Sequence, residues 1–313
     1  MRIFLAGATG AVGSRLAPLL VEAGHEVTGT TRSPQKAESL RAAGVEPAVV
    51  DGLDRDAVVA AVVAARPDAV VHELTALAEM NDLRDFDAAF ALTNRLRTEG
   101  TEHLLAGARE AGARRFVAQS YAGWPYAPTG GPVKTEDDPL DPEPVASMSK
   151  TLAAIRRLEA TVTGAPEIEG IVLRYGALYG PGTGLTKGGE QVELVRKRRF
   201  PIVGDGGGVW SFVHVDDAAA ATLAALERGA PGIYNVVDDE PAPVRAWMPA
   251  LAKAAGAKPP RRLPRWLARL AAGEAVATMM TESRGASNAK AKRELGWQPA
   301  HPSWREGFIS ALA

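Results

Sequence analysis

The chain has no cysteine among its 313 residues, so neither a disulfide framework nor thiolate metal ligation is open to it. A reducing compartment is the expected setting. Nor is there an excess of either charge: 36 Lys and Arg against 37 Asp and Glu leave a net charge of -1, which argues against bulk binding to nucleic acid. The one basic run, RKRR at 196–199, reads as a solvated helix end. Long hydrophobic runs are missing too. The longest, AVVAAVVAA at 57–65, falls short of the roughly 20 residues that span a bilayer. A first strand read from Arg2 leaves no room for a signal peptide, so the expected location is cytoplasmic, with no membrane or nucleic-acid partner. What remains is a 46% hydrophobic composition, ordinary for a globular protein whose partner is a small molecule.

Short apolar runs alternate with helical patterns: RIFLAG, then a helix over 11–23; HEVTGTT, then 34–43; VEPAVVD, then 54–65; DAVVHEL, then 86–111; RRFVAQS; and IEGIVLRYG. This alternation predicts an α/β fold, a Rossmann-type doubly wound parallel sheet that binds ligands at the carboxyl ends of its strands. Residues 1–176 are assigned to the dinucleotide-binding domain. Beyond them, Gly- and Pro-rich loops, short strands and helices (218–228, 245–255, 263–272, 286–295) predict a smaller substrate-covering region over 177–313, with 210–238 returning to the sheet. The apolar stretch at 263–280 reads either as core or as a lid.

The most specific motif is GATGAVG at 7–13, between the first strand and its helix. Gly7 permits the tight turn, Gly10 lets backbone approach a pyrophosphate, and Gly13 allows close helix packing. Thr9, Ala11 and Val12 complete the loop, and the helix N-terminus adds amides and a positive dipole end. At the end of strand two stands GTTRS rather than an acid. Thr30 and Thr31 do not repel a 2'-phosphate, and the Arg32 guanidinium is suited to hold one, with Lys36 nearby. This favours NADP(H), with NAD(H) as the alternative. In VVDGLD, Asp51 is placed to accept from the adenine amino group, beside Gly52 and with Leu53 on the ring; an N-cap role for Asp54 competes for the same acidic pair. His72 and His214 do not sit in a spacing that gathers three or four metal ligands, and no metal is expected. Asp216 and Asp217 are expected to cap the following helix.

These motifs resemble the extended short-chain dehydrogenase/reductase, or NAD-dependent epimerase/dehydratase, family. The resemblance continues through VVHELTA, TNRLRTEGTEHLLAGAREAGARRFVAQS, LRYGALYGPG, WSFVHVDDAAAA, YNVVDDEP and AKRELGWQP, in that order. It implies that Leu74, Thr75 and Ala76 line the cofactor, and that a Tyr-x-x-x-Lys helix carries the chemistry: the lysine holds the nicotinamide ribose and the tyrosine passes the proton. Here VASMSK at 145–150 places Ala146 where that tyrosine belongs. Lys150 keeps the family position, either as a ribose ligand or as a helix-surface charge. A substitute donor is sought in SYAGWPYA at 120–127: Tyr121 as proton donor, Ser120 orienting substrate or cofactor, and Tyr126 lining the pocket. Asn94 in TNRLRTEG departs from the family's closer Asn-x-x-Gly spacing; it either braces strand four or lies on the surface.

Ala177, Trp210 and Ser211 stand where nucleotide-sugar enzymes of the family carry Asn and Arg. A diphosphate would lack its bidentate cation there, so a less charged substrate touching Trp124, Tyr179 and Trp210 is expected. The leading expectation is an NADP(H)-dependent reductase or dehydrogenase of a small carbonyl or alcohol. An epimerase or dehydratase with internally recycled cofactor, and a non-catalytic NADP(H)-binding sensor, remain the alternatives. Many members of the family form a homodimer through the helices that here fall around 86–111 and 145–160, but an amphipathic face is not an interface and the sequence leaves the oligomeric state open.

Overall fold

The computed structural model describes residues 1–77 and 83–313. Its centre is a seven-stranded parallel sheet in the order β12-β7-β5-β4-β1-β2-β3. The strands are β1 (Arg2–Ala6), β2 (Glu26–Thr31), β3 (Glu46–Val49), β4 (Ala69–His72), β5 (Arg115–Tyr121), β7 (Glu169–Tyr175) and β12 (Gly232–Val236). The other short strands form four two-stranded pairs: β6 (Val133–Lys134) with Gly285–Ala286, β8 (Ala177–Tyr179) with β11 (Phe212–His214), β9 (Ile202–Val203) with Arg262–Leu263, and β10 (Val209–Trp210) with Ala242–Pro243.

Side chains alternate across a strand, so a parallel sheet covered on both faces needs apolar residues at nearly every position. Thus Ile3 and Leu5 pack toward α1 (Gly13–Glu22) and α9 (Val215–Arg228), whereas Phe4 and Ala6 pack toward α3 (Arg55–Ala65) and α6 (Thr101–Ala111). Helix α7 (Ser149–Thr163) adds Leu158 and Val162 to the second face. A separate core in the C-terminal part gathers Trp247, Trp304, Phe308 and Phe212, all buried. Each such side chain contributes roughly 1.5–3 kcal/mol by leaving water.

Two helical expectations differ from the structure. The segment 86–111 is not one helix: α4 (Phe86–Ala89) and α5 (Ala91–Arg95) lead into a π-helical turn, Leu96–Gly100, and only then into α6. The wider turn lets Gly100 lie over the Gly52 carbonyl, where an added Cβ would sit 3.6 Å away. The apolar stretch 263–280 is split at Gly273, whose φ of +88° ends α11 (Arg265–Ala272) and starts α12 (Glu274–Glu282). A Cβ at Gly273 would meet the Arg84 carbonyl at 2.8 Å, so glycine is required. Met279 and Met280 of α12 are buried, making this helix a wall of the C-terminal part.

Candidate active site

The cradle at β1 is built by missing side chains. A Cβ on Gly13 would lie 2.1 Å from the Gly7 carbonyl oxygen, and one on Gly7 would lie 2.8 Å from the Glu73 backbone. The loop is therefore packed edge to edge against β4. Gly7 takes φ +93°, its amide donates to Thr30 Oγ1 at 2.9 Å, and the Gly10 amide closes back onto the Gly7 carbonyl at 3.0 Å. Helix α1 begins with neither a side-chain cap nor an acidic residue in its first turn, so no side chain of its own competes there for an anion. Gly182 closes over this loop, with space for a Cβ only 3.5 Å from Ala11.

Farther along the sheet edge, Thr30 and Thr31 are buried while Arg32 and Lys36 are exposed. Thr31 Oγ1 accepts from the Ser33 amide at 3.1 Å and lies 3.5 Å from Thr9 Oγ1. The two acids of DGLD are divided between two tasks. Asp54 caps α3 by accepting from the Ala57 amide, and Asp51 accepts from the Leu53 amide at 3.0 Å. Gly52 is crowded by Leu74, whose methyl would stand 2.6 Å from an added Cβ. The strand after it is fixed by His72: Leu74 donates its amide to Nδ1, Nε2 lies 3.2 Å from the Leu96 carbonyl, and burial lowers the imidazole to about 4, so it is neutral. The Ala76 amide donates to Thr93 Oγ1, and Thr75 stands half-buried between these tied neighbours. Residues 7–13, 30–32, 51–53 and 74–76 therefore form one rim at the carboxyl edge of the sheet. Its glycine cradle and uncapped helix end fit a nicotinamide dinucleotide.

At the end of β5 the structure separates residues that sequence reasoning grouped. Consecutive strand residues leave opposite faces, and Ser120 turns inward: its Oγ donates to Glu159 at 2.8 Å. Glu159 is also held by Arg174 in a buried two-point ion pair at 2.8 and 2.6 Å. Arg174 donates onward to Tyr126 Oη, which donates to Asn235 Oδ1 at 2.6 Å. Ser120 and Tyr126 thus belong to a closed polar network beneath the site. Tyr179 is fully buried, edge-on to His214 and Phe308, and does not reach the cleft. Lys150 is exposed, and its backbone amide donates to Asp87, which also takes the Thr151 amide and hydroxyl. Ala146, in the turn before α7, is exposed as well.

Tyr121 is brought together with Trp124 and Trp210. They line a narrow cleft, completed by Ala122, Gly123, Val209, Ser211, Met279 and Ser283. Tyr121 and Trp124 have ring centroids 6.4 Å apart, and Trp210 is fixed by its indole N–H on the Met279 carbonyl at 3.0 Å. Burial pushes the Tyr121 phenol up to about 12, opposed by the positive charge of Arg97. Such a phenol stays protonated at neutral pH; it can give a proton and is a poor base.

Sequence reasoning missed Ser283, Glu73 and Arg97. Ser283 follows a distant helix end and nothing local marks it, whereas Met279 lies in the 263–280 stretch read as core or lid and lines the cavity. Glu73 is buried beside the glycine loop, accepts from Tyr175 Oη at 2.8 Å and is raised to about 8 by burial. Arg97 was legible: Thr93, Arg97 and Thr101 recur every four residues and all are buried, so a guanidinium lies in an inward stripe. Asn94 braces α7 rather than strand four, donating to Thr151 Oγ1 at 3.0 Å. The acids after His214 do not cap α9. His214 Nδ1 accepts the Asp216 amide, Asp216 pairs with Arg15, and buried Asp217 accepts from the Ala300 and His301 amides. The helix begins at Val215 and leaves both carboxylates free for these longer ties. Among the described residues no group of three or more His, Asp or Glu gathers as a metal site.

The comparisons with known proteins agree with this frame. The model of the NAD dependent epimerase/dehydratase family matches residues 3–236. A Streptomyces protein named 3-diazoavenalumate denitrifying reductase is 47% identical over 310 residues, covering 98% of this chain and 99% of its own. A Stigmatella aurantiaca farnesyl-dihydroquinoline-oxide ketoreductase is 29% identical, covering 82% and 74%. Among solved structures, the UDP-glucose 4-epimerase of Thermotoga maritima superposes with TM-score 0.78 at 23% identity, over 100% of this chain and 97% of that one. A human epimerase family protein solved with NADPH gives 0.76 at 23%, over 100% and 99%. The chain belongs to the NAD dependent epimerase/dehydratase family.

Proposed function

We propose that this oxidoreductase is an NADP(H)-dependent reductase of a small aromatic acceptor. The observation that carries the reading is Tyr121, a protonated phenol at the end of β5, in one small cavity with Trp124 and Trp210. Gly7, Thr9, Gly10, Ala11, Val12 and Gly13 would hold the pyrophosphate, Arg32 the 2'-phosphate, Asp51 to Leu53 and Leu74 to Ala76 the adenosine, and Lys150 the nicotinamide ribose. The cofactor supplies hydride. For a carbonyl acceptor, Tyr121 donates its proton to the oxygen as hydride arrives at carbon. The aromatic walls exclude water and orient a flat acceptor.

A second acceptor is favoured by Ala146 together with the name of the 47% identical relative. Hydride added to the ring carbon of an arenediazonium releases dinitrogen and leaves the arene; charge and atoms balance with no proton required. A site without the family tyrosine suits that reaction.

The test is NADPH consumption with aryl ketones and arenediazonium salts, for wild type and Tyr121→Phe. Removing a general acid lowers the rate by about 100-fold or more. Loss on ketones alone assigns carbonyl reduction with Tyr121 as donor. Unchanged turnover of diazonium salts, with no ketone activity in either protein, assigns the second acceptor. No consumption in any case overturns the reductase reading.

A further inference from the structure

Arg97 is 8% exposed, and a buried guanidinium ordinarily faces a carboxylate. Its only side-chain hydrogen bond among the described residues is from Nη1 to Asn94 Oδ1 at 3.3 Å, which is long for a charged donor. The acid nearest in charge is Glu159, but both of its oxygens are already taken by Arg174, with Ser120 sharing one. Two guanidiniums therefore stand around one carboxylate, and among the described residues the second positive charge has no carboxylate partner of its own. Burial lowers Arg97 to about 10, which leaves it charged at neutral pH.

The surroundings say what sort of anion is missing. Arg97 lies over the Phe90 ring at 5.9 Å; Phe90 stacks on Phe86 at 4.5 Å, and Phe86 meets Trp124 edge-on at 5.4 Å. Trp124 is the wall shared with Tyr121, whose phenol feels the Arg97 charge. Aromatic contacts thus run from the cavity wall to a cation with no carboxylate partner among the described residues. The π-helical turn at 96–100 holds that cation in place, as such turns often do at functional sites. The pyrophosphate cradle is elsewhere, at the start of α1.

We propose that Arg97 is the specificity residue for an acidic substrate: its guanidinium takes the carboxylate of an aromatic acid whose ring packs against Trp124. This rests on the reading that the cavity is the acceptor site of a reductase, and deepens it by naming the acceptor's charge. The fork geometry of arginine gives a planar two-point contact that an amide or ester cannot return.

The test uses three acids as probes, benzoate, phenylacetate and cinnamate, each beside its neutral amide, binding to the NADP+-saturated protein and followed by tryptophan fluorescence. At least one acid binds ten-fold or more tightly than its amide. Arg97→Gln removes that preference, Arg97→Lys keeps part of it, and NADP+ affinity stays within about two-fold in both. If no acid outbinds its amide in wild type, the proposal is overturned, whether or not Arg97→Gln folds. It is equally overturned if Arg97→Gln keeps the acid preference, or if it instead weakens NADP+ ten-fold, because the cation would then serve the cofactor. Binding needs no hydride transfer, so a protein that prefers acids through Arg97 yet consumes no NADPH refutes the reductase reading alone.

Discussion

Replacing Glu73 by glutamine should stabilise the protein, and by an amount that grows with pH. The carboxyl is buried, one oxygen accepts from Tyr175, and the other has no partner. Burial raises it from 4.5 to about 8, so the folded chain keeps a proton that the unfolded chain has lost. With the folded pKa above the unfolded one, stability is complete below about pH 4.5 and falls as pH rises toward about 8. At about 1.4 kcal/mol per unit, the wild type gives up about 3 kcal/mol between about pH 5 and about pH 8. Glutamine has the same shape, can still accept from Tyr175 and does not titrate. Asp238 is also raised to about 8 by burial, but it is common to both proteins and cancels in the difference. Urea denaturation of both proteins at the two pH values measures the effect. The variant should gain about 3 kcal/mol more at the higher pH. A difference that does not change with pH would refute the buried neutral acid.

Other outcomes follow from the same geometry. Ser120→Ala should lose about 1 kcal/mol of stability and keep its kcat within about three-fold, because Ser120 props Glu159 and is outside the cavity; a hundred-fold loss of kcat would return it to the reaction. Arg174→Leu should lose about 3 kcal/mol in chemical denaturation, since it removes both guanidinium hydrogen bonds to the buried Glu159 carboxylate. Arg32→Ala should raise KM for NADPH about ten-fold and leave KM for NADH unchanged, the expected signature of a 2'-phosphate contact. Gly13→Ala should abolish cofactor binding in a calorimetric titration, since its Cβ would stand 2.1 Å from the Gly7 carbonyl.

The sheet was legible because a parallel sheet buried on both faces must be written as apolar runs separated by helical patterns. The glycine cradle was legible for a similar reason, as each glycine answers a contact that a Cβ would break. The end of β5 was harder. Period two says that Ser120 and Tyr121 must part; which one faces the cavity is decided by the Arg174–Glu159 pair, contributed by a later helix and strand. Tyr179 read as a pocket aromatic, but it belongs to a core made by α14 (Trp304–Leu312), far away in sequence. The π turn has no periodicity of its own within five residues, so 86–111 read as one helix. Arg97 could have been found from its place in a buried stripe, though its lack of a carboxylate partner among the described residues depends on Glu159 being already satisfied.

The central claim is that the cofactor's reacting end meets Tyr121 in the Trp124–Trp210 cavity, and a crystal structure with NADP+ bound tests it most directly. The account predicts the Tyr121 hydroxyl within about 5 Å of nicotinamide C4, with the two indoles walling the space beyond. A nicotinamide ring facing a closed apolar wall, with Tyr121 turned away, would contradict it.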